Sequence, residues 1–326
     1  TKVSIEKYDE DLNEIRAHQE ANHLAPGYYR EFAKYRNVSV EDASKLLAEK
    51  GSFVLRFRVP DVIEERIAVD DLIKGHVEME NNINDFVLLK ENGIPTYHFA
   101  HCCDDHFMGT TVVMRGDEWL PSLPIHLQLF NACGFKLPSY AHVAPVMKLD
   151  GESRRKLSKR KDPESNAEFY LEEGYPIRAL YVYLYTLINS NFEEWLLKFP
   201  DKPLDEFKYS IGKMGKSGAL FDIAKLNDIS KTYMAKLSEE EAYDFFKAWA
   251  DEYGTDEQKG YFADKAYMLK VLALCMGIGG KKRRKDFICA KQAMEMISYF
   301  FPTTFAPAYE YRFDKEVVKT VIAAFK

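Results

Sequence analysis

The chain has 326 residues, of which 46% are hydrophobic and 14% aromatic, so it is not a disordered protein and is long enough for two or more domains. Its formal net charge of −6 argues against a uniformly basic nucleic-acid binder but leaves room for local basic patches. Five unpatterned cysteines, with no signal peptide or long apolar run in the sequence, predict a cytoplasmic protein with no membrane partner.

The first half of the chain alternates between helix and strand patterns. Apolar spacing predicts helices over 5–23 and 40–49, the first ending before Pro26-Gly27. Residues 53–59 alternate apolar and basic side chains, which predicts a half-buried strand with Arg56 and Arg58 on its solvent face. Further strands are predicted over 65–69, 85–90, 95–103, 110–114 and 143–147, with a helix over 121–133.

The second half has a different character. All eight histidines lie between His18 and His142, and the composition changes near residue 150. After residue 165 the pattern is almost entirely helical, with long helices predicted over 176–189, 239–252, 263–276 and 286–300. The expected fold is therefore α/β followed by all-α.

Residues 96–109, TYHFAHCCDDHFMG, contain many potential metal ligands. In the predicted strand, Tyr97 and His101 share one face while His98 and Cys102 lie on the other. Neighbours on opposite faces cannot hold one ion, so no structural metal is expected. The alternative interpretation is a buried strand that continues into a polar loop.

Residues 154–161 contain six cations among eight residues, after the turn Asp150-Gly151-Glu152. Two interpretations are open. The run is a solvated loop, as charge runs usually are, or it is a mobile basic loop with Ser158 and Lys159 at its centre that follows charge developing on a triphosphate.

The segment Lys156-Leu157-Ser158-Lys159-Arg160 resembles the second signature of class I aminoacyl-tRNA synthetases, and its context resembles the glutamyl-tRNA synthetase family. Other segments resemble that family in the same order along the chain. They are Asp85 to Leu89, Gly93 to Ala100, Asp104-Asp105-His106, Arg115 to Leu120 and Lys216 to Asp222. The resemblance is strong over residues 10–235 and weaker in the helical remainder.

The resemblance implies a division into four parts. Residues 1–92 are expected to belong to the acceptor-binding insertion, and 93–164 to form the second half of a Rossmann-like catalytic domain. Residues 165–235 are expected to be a helical stem-contact region, and 236–326 part of a helical anticodon-binding region.

The resemblance also implies a glutamate pocket that contains Tyr97, His101, Arg115 and Trp119. A planar guanidinium at Arg115 suits a substrate carboxylate, because it donates two parallel hydrogen bonds. The alternatives are a buried Arg115 paired with Asp104 or Asp105, and a Trp119 that serves only as a core residue.

The implied activity is ATP-dependent activation of glutamate and its transfer to tRNA(Glu). Lys156, Ser158 and Lys159 are expected to be catalytic, stabilising the departing phosphates. The expected contacts with ATP are Val146, Met147, Lys159 and Arg160, and the expected Mg²⁺ is carried by ATP.

Contacts with tRNA are expected from cations in two places and from one hydroxyl. Residues 281–285 are five adjacent cations, and their alternative interpretation is a solvated interhelical loop. The expected tRNA-binding residues are Arg56, Arg58, Ser217, Lys281, Lys282, Arg283 and Arg284. No DNA partner is expected.

One element of the family pattern is missing from this sequence. A class I synthetase has a first signature, His-x-Gly-His or similar, at a helix start, and neither His23 nor His126 is followed by that glycine pattern. The expectation is a fragment that lacks the N-terminal half of the catalytic fold and is inactive alone. The alternative is a non-catalytic tRNA-binding or regulatory module.

Overall fold

A computed structural model describes residues 3–6, 11–50, 53–304 and 314–324. By contacts the chain forms two compact units, the first made of 1–145 and 208–219 and the second of 146–207 and 220–326. The four-part division expected from the sequence stays a prediction. None of the helices in the described ranges is long and apolar enough to cross a membrane.

The first unit combines small sheets with four α-helices. In chain order its elements are β1 (Val3–Glu6), α1 (Asp11–Ala21), α2 (Val40–Lys50), β2 (Val54–Phe57), β3 (Arg66–Asp71), β4 (Gly75–Glu80), β5 (Val87–Leu89), α3 (Tyr97–Phe107), β6 (Val112–Gly116), α4 (Leu123–Cys133) and β7 (Ser139–Val143). Strands β1, β2 and β5 form an antiparallel sheet, β3 and β4 a hairpin, and β6 and β7 a parallel pair.

The core of this unit joins the antiparallel sheet to α3 and α4. Its buried residues are Phe57, Val59, Phe86, Leu88, Cys102, Leu129 and Phe130. Burying each large apolar side chain contributes about 1.5–3 kcal/mol. Helix α4 has a proline in its first turn and ends at Gly134, whose φ of 70° is the left-handed conformation that glycine adopts without strain. This packing fixes the helices that carry the candidate site.

The prediction of a strand over 95–103 is wrong, because helix α3 begins at Tyr97. Apart from Thr96, which precedes the helix, the segment has no β-branched residue. The Thr96 hydroxyl donates to the Val87 carbonyl at 2.7 Å, which ties the helix start to β5. Tyr97 and His101 still share a face, since residues four apart on a helix are neighbours.

The second unit begins with a β-hairpin and is otherwise helical. Its elements are β8 (Met147–Asp150), β9 (Ser153–Lys156), α5 (Ala167–Glu173), α6 (Ile177–Ile188), α7 (Phe192–Lys198), α8 (Ile223–Met234), α9 (Glu239–Tyr253), α10 (Asp256–Gly260), α11 (Lys265–Met276), α12 (Ala290–Ile297) and α13 (Lys315–Ala324). The hairpin turns at Gly151, where φ is 62°. The largest buried cluster lies among α9, α11 and α12 and includes Phe246, Met268 and Met294.

Short 3-10 helices connect several of these elements. They span Arg30–Phe32, Asp117–Ser122, Pro163–Ser165, Leu204–Glu206, Ile211–Lys213 and Ser298–Phe300.

Three other predicted elements differ from the structure. The helix predicted over 5–23 is α1, which is preceded by strand β1, and residues 7–10 lie outside the described residues. The strand predicted over 143–147 is the end of β7 and the start of β8, separated by Pro145, which has no N–H for a sheet. The helix predicted over 286–300 begins only at Ala290. The remaining predicted elements are confirmed within a few residues of their ends.

Candidate functional site

The first unit brings together the four residues predicted to form a glutamate pocket. Arg115 lies near the end of β6, and Tyr97 and His101 come from the first turns of α3. Trp119 lies in the 3-10 helix Asp117–Ser122 that follows β6. The ring centroids of Tyr97 and Trp119 are 4.6 Å apart, and the guanidinium carbon of Arg115 is 5.9 Å from the Trp119 ring. These residues therefore form one cluster.

The rings of Tyr97 and His101 form the rim of the cluster. The Tyr97 and His101 rings are parallel, with centroids 5.8 Å apart and an interplanar angle of 3°. Tyr97 is half exposed, whereas the side chain of His101 is only 7% exposed. The rim is therefore open to solvent at Tyr97 and closed at His101. Trp119 is partly buried and contacts Tyr97 of this rim, and its role in the pocket stays a prediction.

Arg115 is held by two histidines that the sequence analysis did not assign to the site. Its Nε donates to Nε2 of His142 at 3.0 Å, and its Nη1 donates to Nδ1 of His126 at 3.1 Å. Both imidazoles are completely buried. Within the described residues no carboxylate forms an ion pair with Arg115, so the predicted alternative pairing with Asp104 or Asp105 is not found.

Further polar groups continue from these two histidines. Nδ1 of His142 is 2.7 Å from Oδ2 of Asp71, and Nε2 of His126 is 3.0 Å from Nδ1 of His98. Asp71 also accepts from the backbone amides of Ile73, Lys74 and His142. Burial tends to raise the pKa of Asp71, but these hydrogen bonds outweigh that effect and hold the pKa below its usual range. Asp71 is therefore ionised at neutral pH.

Burial lowers the pKa of every histidine near Arg115. For His126 burial is the main cause, and the neighbouring His101 ring and the Arg115 guanidinium add to it, lowering its pKa to about 2. Burial also lowers the pKa of His98, His101 and His142. At neutral pH these imidazoles are uncharged, and Arg115 is the cation of the cluster.

Four buried polar atoms at the cluster form no hydrogen bond with the described residues. They are Nη2 of Arg115, the hydroxyl of Tyr140, Nε2 of His101 and Oδ2 of Asp105, the last of which lies 2.8 Å from Nδ1 of His101. The Arg115 guanidinium carbon lies 5.0 Å from the Tyr140 ring, so the first two belong to the same small region. A buried polar group without a partner costs about 1–3 kcal/mol. Such groups are expected where a ligand binds.

His101, like His142, has a carboxylate beside its Nδ1. Its Nδ1 is 2.8 Å from Oδ2 of Asp105. The carboxylate favours the proton on Nδ1, which leaves Nε2 as a hydrogen-bond acceptor. The cluster therefore combines two donors, Arg115 Nη2 and the Tyr140 hydroxyl, with one acceptor.

The basic signature lies in the second unit. Lys156 ends β9, and residues 157–161 form a turn in which the amides of Lys161 and Asp162 donate to the Ser158 carbonyl. Lys159 and Arg160 are exposed. Lys159 has no ion pair or hydrogen bond with any residue that the structure describes, so its ammonium group is available to a ligand.

Asp162, which was not singled out in the sequence, holds this turn in place. Its carboxylate accepts two hydrogen bonds from Arg155 at 2.6 and 2.8 Å, and one from the Ser158 amide at 2.8 Å. Lys148 Nζ is 3.1 Å from the same carboxylate. The hydrogen bonds from Arg155 are the main cause that lowers the pKa of Asp162. Two of the cations near the signature are thus structural.

The residues expected to meet adenine are close to the turn. The Val146 carbonyl accepts from the Leu157 amide at 2.9 Å, and the Met147 carbonyl accepts from the Phe221 amide at 2.7 Å. These bonds fix the backbone before and after the turn. A role of Val146 and Met147 in ATP binding stays a prediction.

Two of the predicted tRNA contacts are not on an open solvent face. Arg56 is partly buried, donates to the Asp85 carbonyl at 2.6 Å, and lies 4.5 Å from the Tyr28 ring. Arg58 lies beyond the end of β2, with its Nη2 3.8 Å from Asp61. The predicted exposed face was wrong because the strand is short and both guanidiniums contact neighbouring segments.

The other predicted tRNA contacts are accessible. Ser217 is exposed, and Lys281, Lys282 and Arg283 are exposed in the irregular segment before α12. Arg284 is 2.7 Å from Asp286, and Lys285 donates to the Thr232 hydroxyl at 3.0 Å. The segment is therefore anchored at its end and accessible at Lys281 to Arg283. Contact with tRNA stays a prediction for all of these residues.

Residues 96–109 contain the histidines, cysteines and aspartates that could bind a metal ion. No group of three or more His, Cys, Asp or Glu side chains in the described part of the chain is arranged to hold an ion. The histidines of this segment take part instead in the contacts around Arg115 and with Asp105.

Comparison with known families agrees with this geometry. Residues 4–199, more than half of the chain, match the family model described as "tRNA synthetases class I (E and Q), catalytic domain". The match places the chain among the class I tRNA synthetases, and its fold has the mixed α/β and helical content of their catalytic domain. The chain belongs to the E and Q family of that class, and the resemblance predicted from the sequence is confirmed.

Individual relatives carry a more specific name. Glutamate–tRNA ligase of Acetivibrio thermocellus is 46% identical over 319 residues, which is 97% of this chain and 58% of the relative. Glutamate–tRNA ligase of Clostridium perfringens is 46% identical over 296 residues, 91% of this chain and 54% of the relative. The chain therefore spans little more than half the length of these relatives.

A solved structure shows the same similarity. The crystal structure of a glutamate tRNA ligase from Elizabethkingia meningosepticum, in complex with its amino acid, has a TM-score of 0.71 and is 28% identical. The similarity covers 98% of this chain and 63% of that chain.

Proposed function

We propose that this chain is the glutamate-recognising and phosphate-binding portion of a glutamate–tRNA ligase, which activates glutamate with ATP and transfers it to tRNA(Glu). The observation that carries the proposal is the Arg115 cluster. It has a half-buried arginine whose Nη2 is buried and has no hydrogen-bond partner among the described residues, a neighbouring hydroxyl donor and one acceptor. The names of the relatives, at 46% identity, support the same substrate.

The polar atoms of the cluster match the groups of an amino acid. A side-chain carboxylate accepts from Arg115 Nη2 and the Tyr140 hydroxyl, and charge-assisted bonds of this kind are the strong ones. The substrate ammonium donates to Nε2 of His101. The half-exposed Tyr97 and its neighbour Trp119 cover the methylene groups between the two ends.

The signature turn supplies the phosphate chemistry. Glutamate's carboxylate attacks the α-phosphorus of ATP, and pyrophosphate leaves. Lys159, which is exposed and without a partner among the described residues, stabilises the negative charge on the leaving phosphates. Lys156 ends strand β9 three residues before Lys159, and Ser158 holds the turn through its backbone hydrogen bonds. Arg160 contacts the triphosphate. Mg²⁺ arrives with ATP and supplies further charge neutralisation when bound.

The finer fold assignments are part of the same proposal. The parallel pair β6 and β7 with helix α4 is the kind of βαβ unit that builds a Rossmann-like half-domain. We assign the helices from α9 onward to tRNA contact, because the exposed cations Lys281 to Arg283 lie among them.

The test is aminoacylation of tRNA(Glu) with labelled glutamate by the full-length protein, together with glutamate-dependent ATP–pyrophosphate exchange. Wild-type protein should do both, and Lys159→Ala should do neither. A protein that binds tRNA(Glu) but charges it with no amino acid would instead support the alternative of a non-catalytic module. Charging with glutamine in preference to glutamate would contradict the substrate assignment.

A further inference from the structure

The hydrogen bonds around Arg115 have one possible direction. A guanidinium only donates, so Nε2 of His142 and Nδ1 of His126 are both acceptors. In a neutral imidazole the other nitrogen then carries the proton. His142 therefore donates from Nδ1 to Asp71, and His126 donates from Nε2 to Nδ1 of His98. In both series of hydrogen bonds, the donor is the group nearer to Arg115.

This arrangement holds the guanidinium without cancelling its charge. Arginines buried in proteins are usually paired with a carboxylate. Here the acceptors are uncharged imidazoles, and the ring faces of Trp119 and Tyr140 complete the surroundings. The two nearby carboxylates contact histidines and not Arg115. Asp71 bonds His142 rather than Arg115, and Asp105 lies 2.8 Å from His101.

An arginine in such surroundings distinguishes a carboxylate from an amide. A carboxylate at Nη2 receives a charge-assisted hydrogen bond from a cation whose charge is not already compensated. An amide receives an ordinary hydrogen bond, and its own N–H groups find no acceptor on the guanidinium. If a protein carboxylate stood in place of either imidazole, Arg115 would be neutralised and this difference would shrink.

We propose that His126 and His142 are specificity-determining residues, which orient Arg115 with neutral acceptors so that its charge selects a substrate carboxylate over the corresponding amide. Asp71 is a positioning residue, because its bond to Nδ1 keeps Nε2 of His142 free to accept. This inference rests on the proposed function, since it concerns the same pocket and assigns the basis of its preference for glutamate over glutamine.

The matched pair His126→Asn and His126→Asp tests the inference. In both variants the side-chain oxygen replaces Nδ1 as the acceptor for Arg115, and they differ only in charge. The affinities of the full-length protein for L-glutamate and L-glutamine are measured by isothermal titration calorimetry. The asparagine variant should keep the wild-type ratio of the two dissociation constants within about threefold, whereas the aspartate variant should reduce it by about tenfold or more.

A second pair covers the case in which a buried aspartate prevents folding. Tyr97 is half exposed and, like Arg115, contacts Trp119, so Tyr97→Glu and Tyr97→Gln place a charged or a neutral group near Arg115 with little effect on the core. Tyr97→Glu should have a lower preference for L-glutamate over L-glutamine than Tyr97→Gln. If His126 and His142 have a purely structural role, the ratio of the two dissociation constants should be equal within each pair of variants.

The possible results separate the inference from the proposed function. If wild-type protein prefers glutamate but each charged variant has the same ratio as its neutral partner, the inference is overturned and the proposed function stands. If wild-type protein does not distinguish the two amino acids, both are overturned. A ratio that is reduced in the charged variants but not in their neutral partners supports the inference.

Discussion

Replacing Arg115 with lysine should weaken the use of glutamate while leaving ATP largely unaffected. The guanidinium reaches three positions at once: His142 at 3.0 Å, His126 at 3.1 Å, and the place where Nη2 lacks a partner. An ammonium group cannot reproduce this planar arrangement. It leaves at least one buried imidazole nitrogen without a donor and loses the directed bond to the substrate.

The expected magnitude follows from these contacts. Losing a charge-assisted hydrogen bond and leaving a buried acceptor unpaired costs about 2–4 kcal/mol, or about 30- to 900-fold in kcat/KM for glutamate. The assay is steady-state aminoacylation by the full-length protein, with glutamate and ATP varied in turn. Arg66→Lys is the matched control, because Arg66 is exposed on β3. A kcat/KM for glutamate within about threefold of wild type would remove Arg115 from the pocket.

Three further predictions concern the second unit. Lys159→Ala should abolish ATP–pyrophosphate exchange without changing Tm, because this exposed side chain has no partner among the described residues; persisting exchange would show that another group neutralises the phosphates. Neutralising Lys281 and Lys282 as glutamines should reduce the salt slope of tRNA binding by about two units, and an unchanged slope would mean a solvated loop. For Asp162→Asn, we expect lower stability than wild type at pH 7, measured as the urea midpoint. The folded-state pKa of Asp162 is depressed, so its stabilising effect is complete above the unfolded pKa of about 4 and is lost as pH falls further. The difference between the two proteins should therefore shrink in acid, and a difference that is independent of pH would contradict this role.

The sequence was most informative where a motif carried the signal. Lys156 to Arg160 and the colinear segments identified the family, and the long helices after residue 165 follow from their 3.6-residue period. The predicted pocket residues Tyr97, His101, Arg115 and Trp119 are indeed close together.

The sequence was least informative where local patterns compete. Residues 95–103 mix aromatic and polar side chains, and no short-range signal showed that Thr96 precedes a helix. Tertiary contact decided the outcome, since Cys102 is fully buried in the core shared with Leu129 and Phe130.

The residues around Arg115 could not have been found from spacing alone. Asp71 and His142 are 71 positions apart, and each taken alone is an ordinary polar residue on a strand. The one available signal was the concentration of all eight histidines between His18 and His142. That concentration located the region but could not show which imidazoles face a common arginine.

The parallel register of β6 and β7 has a consequence for how the protein folds. Arg115 and His142 are direct partners in that register, although 27 positions separate them in the chain. A slip of one residue would turn Arg115 to the opposite face of the sheet and destroy the site. Recognition of the ligand therefore requires that this long crossover has closed correctly. Glutamate at 100 times its dissociation constant would stabilise the folded state by about 2.7 kcal/mol, and it would favour only molecules with the correct strand pairing.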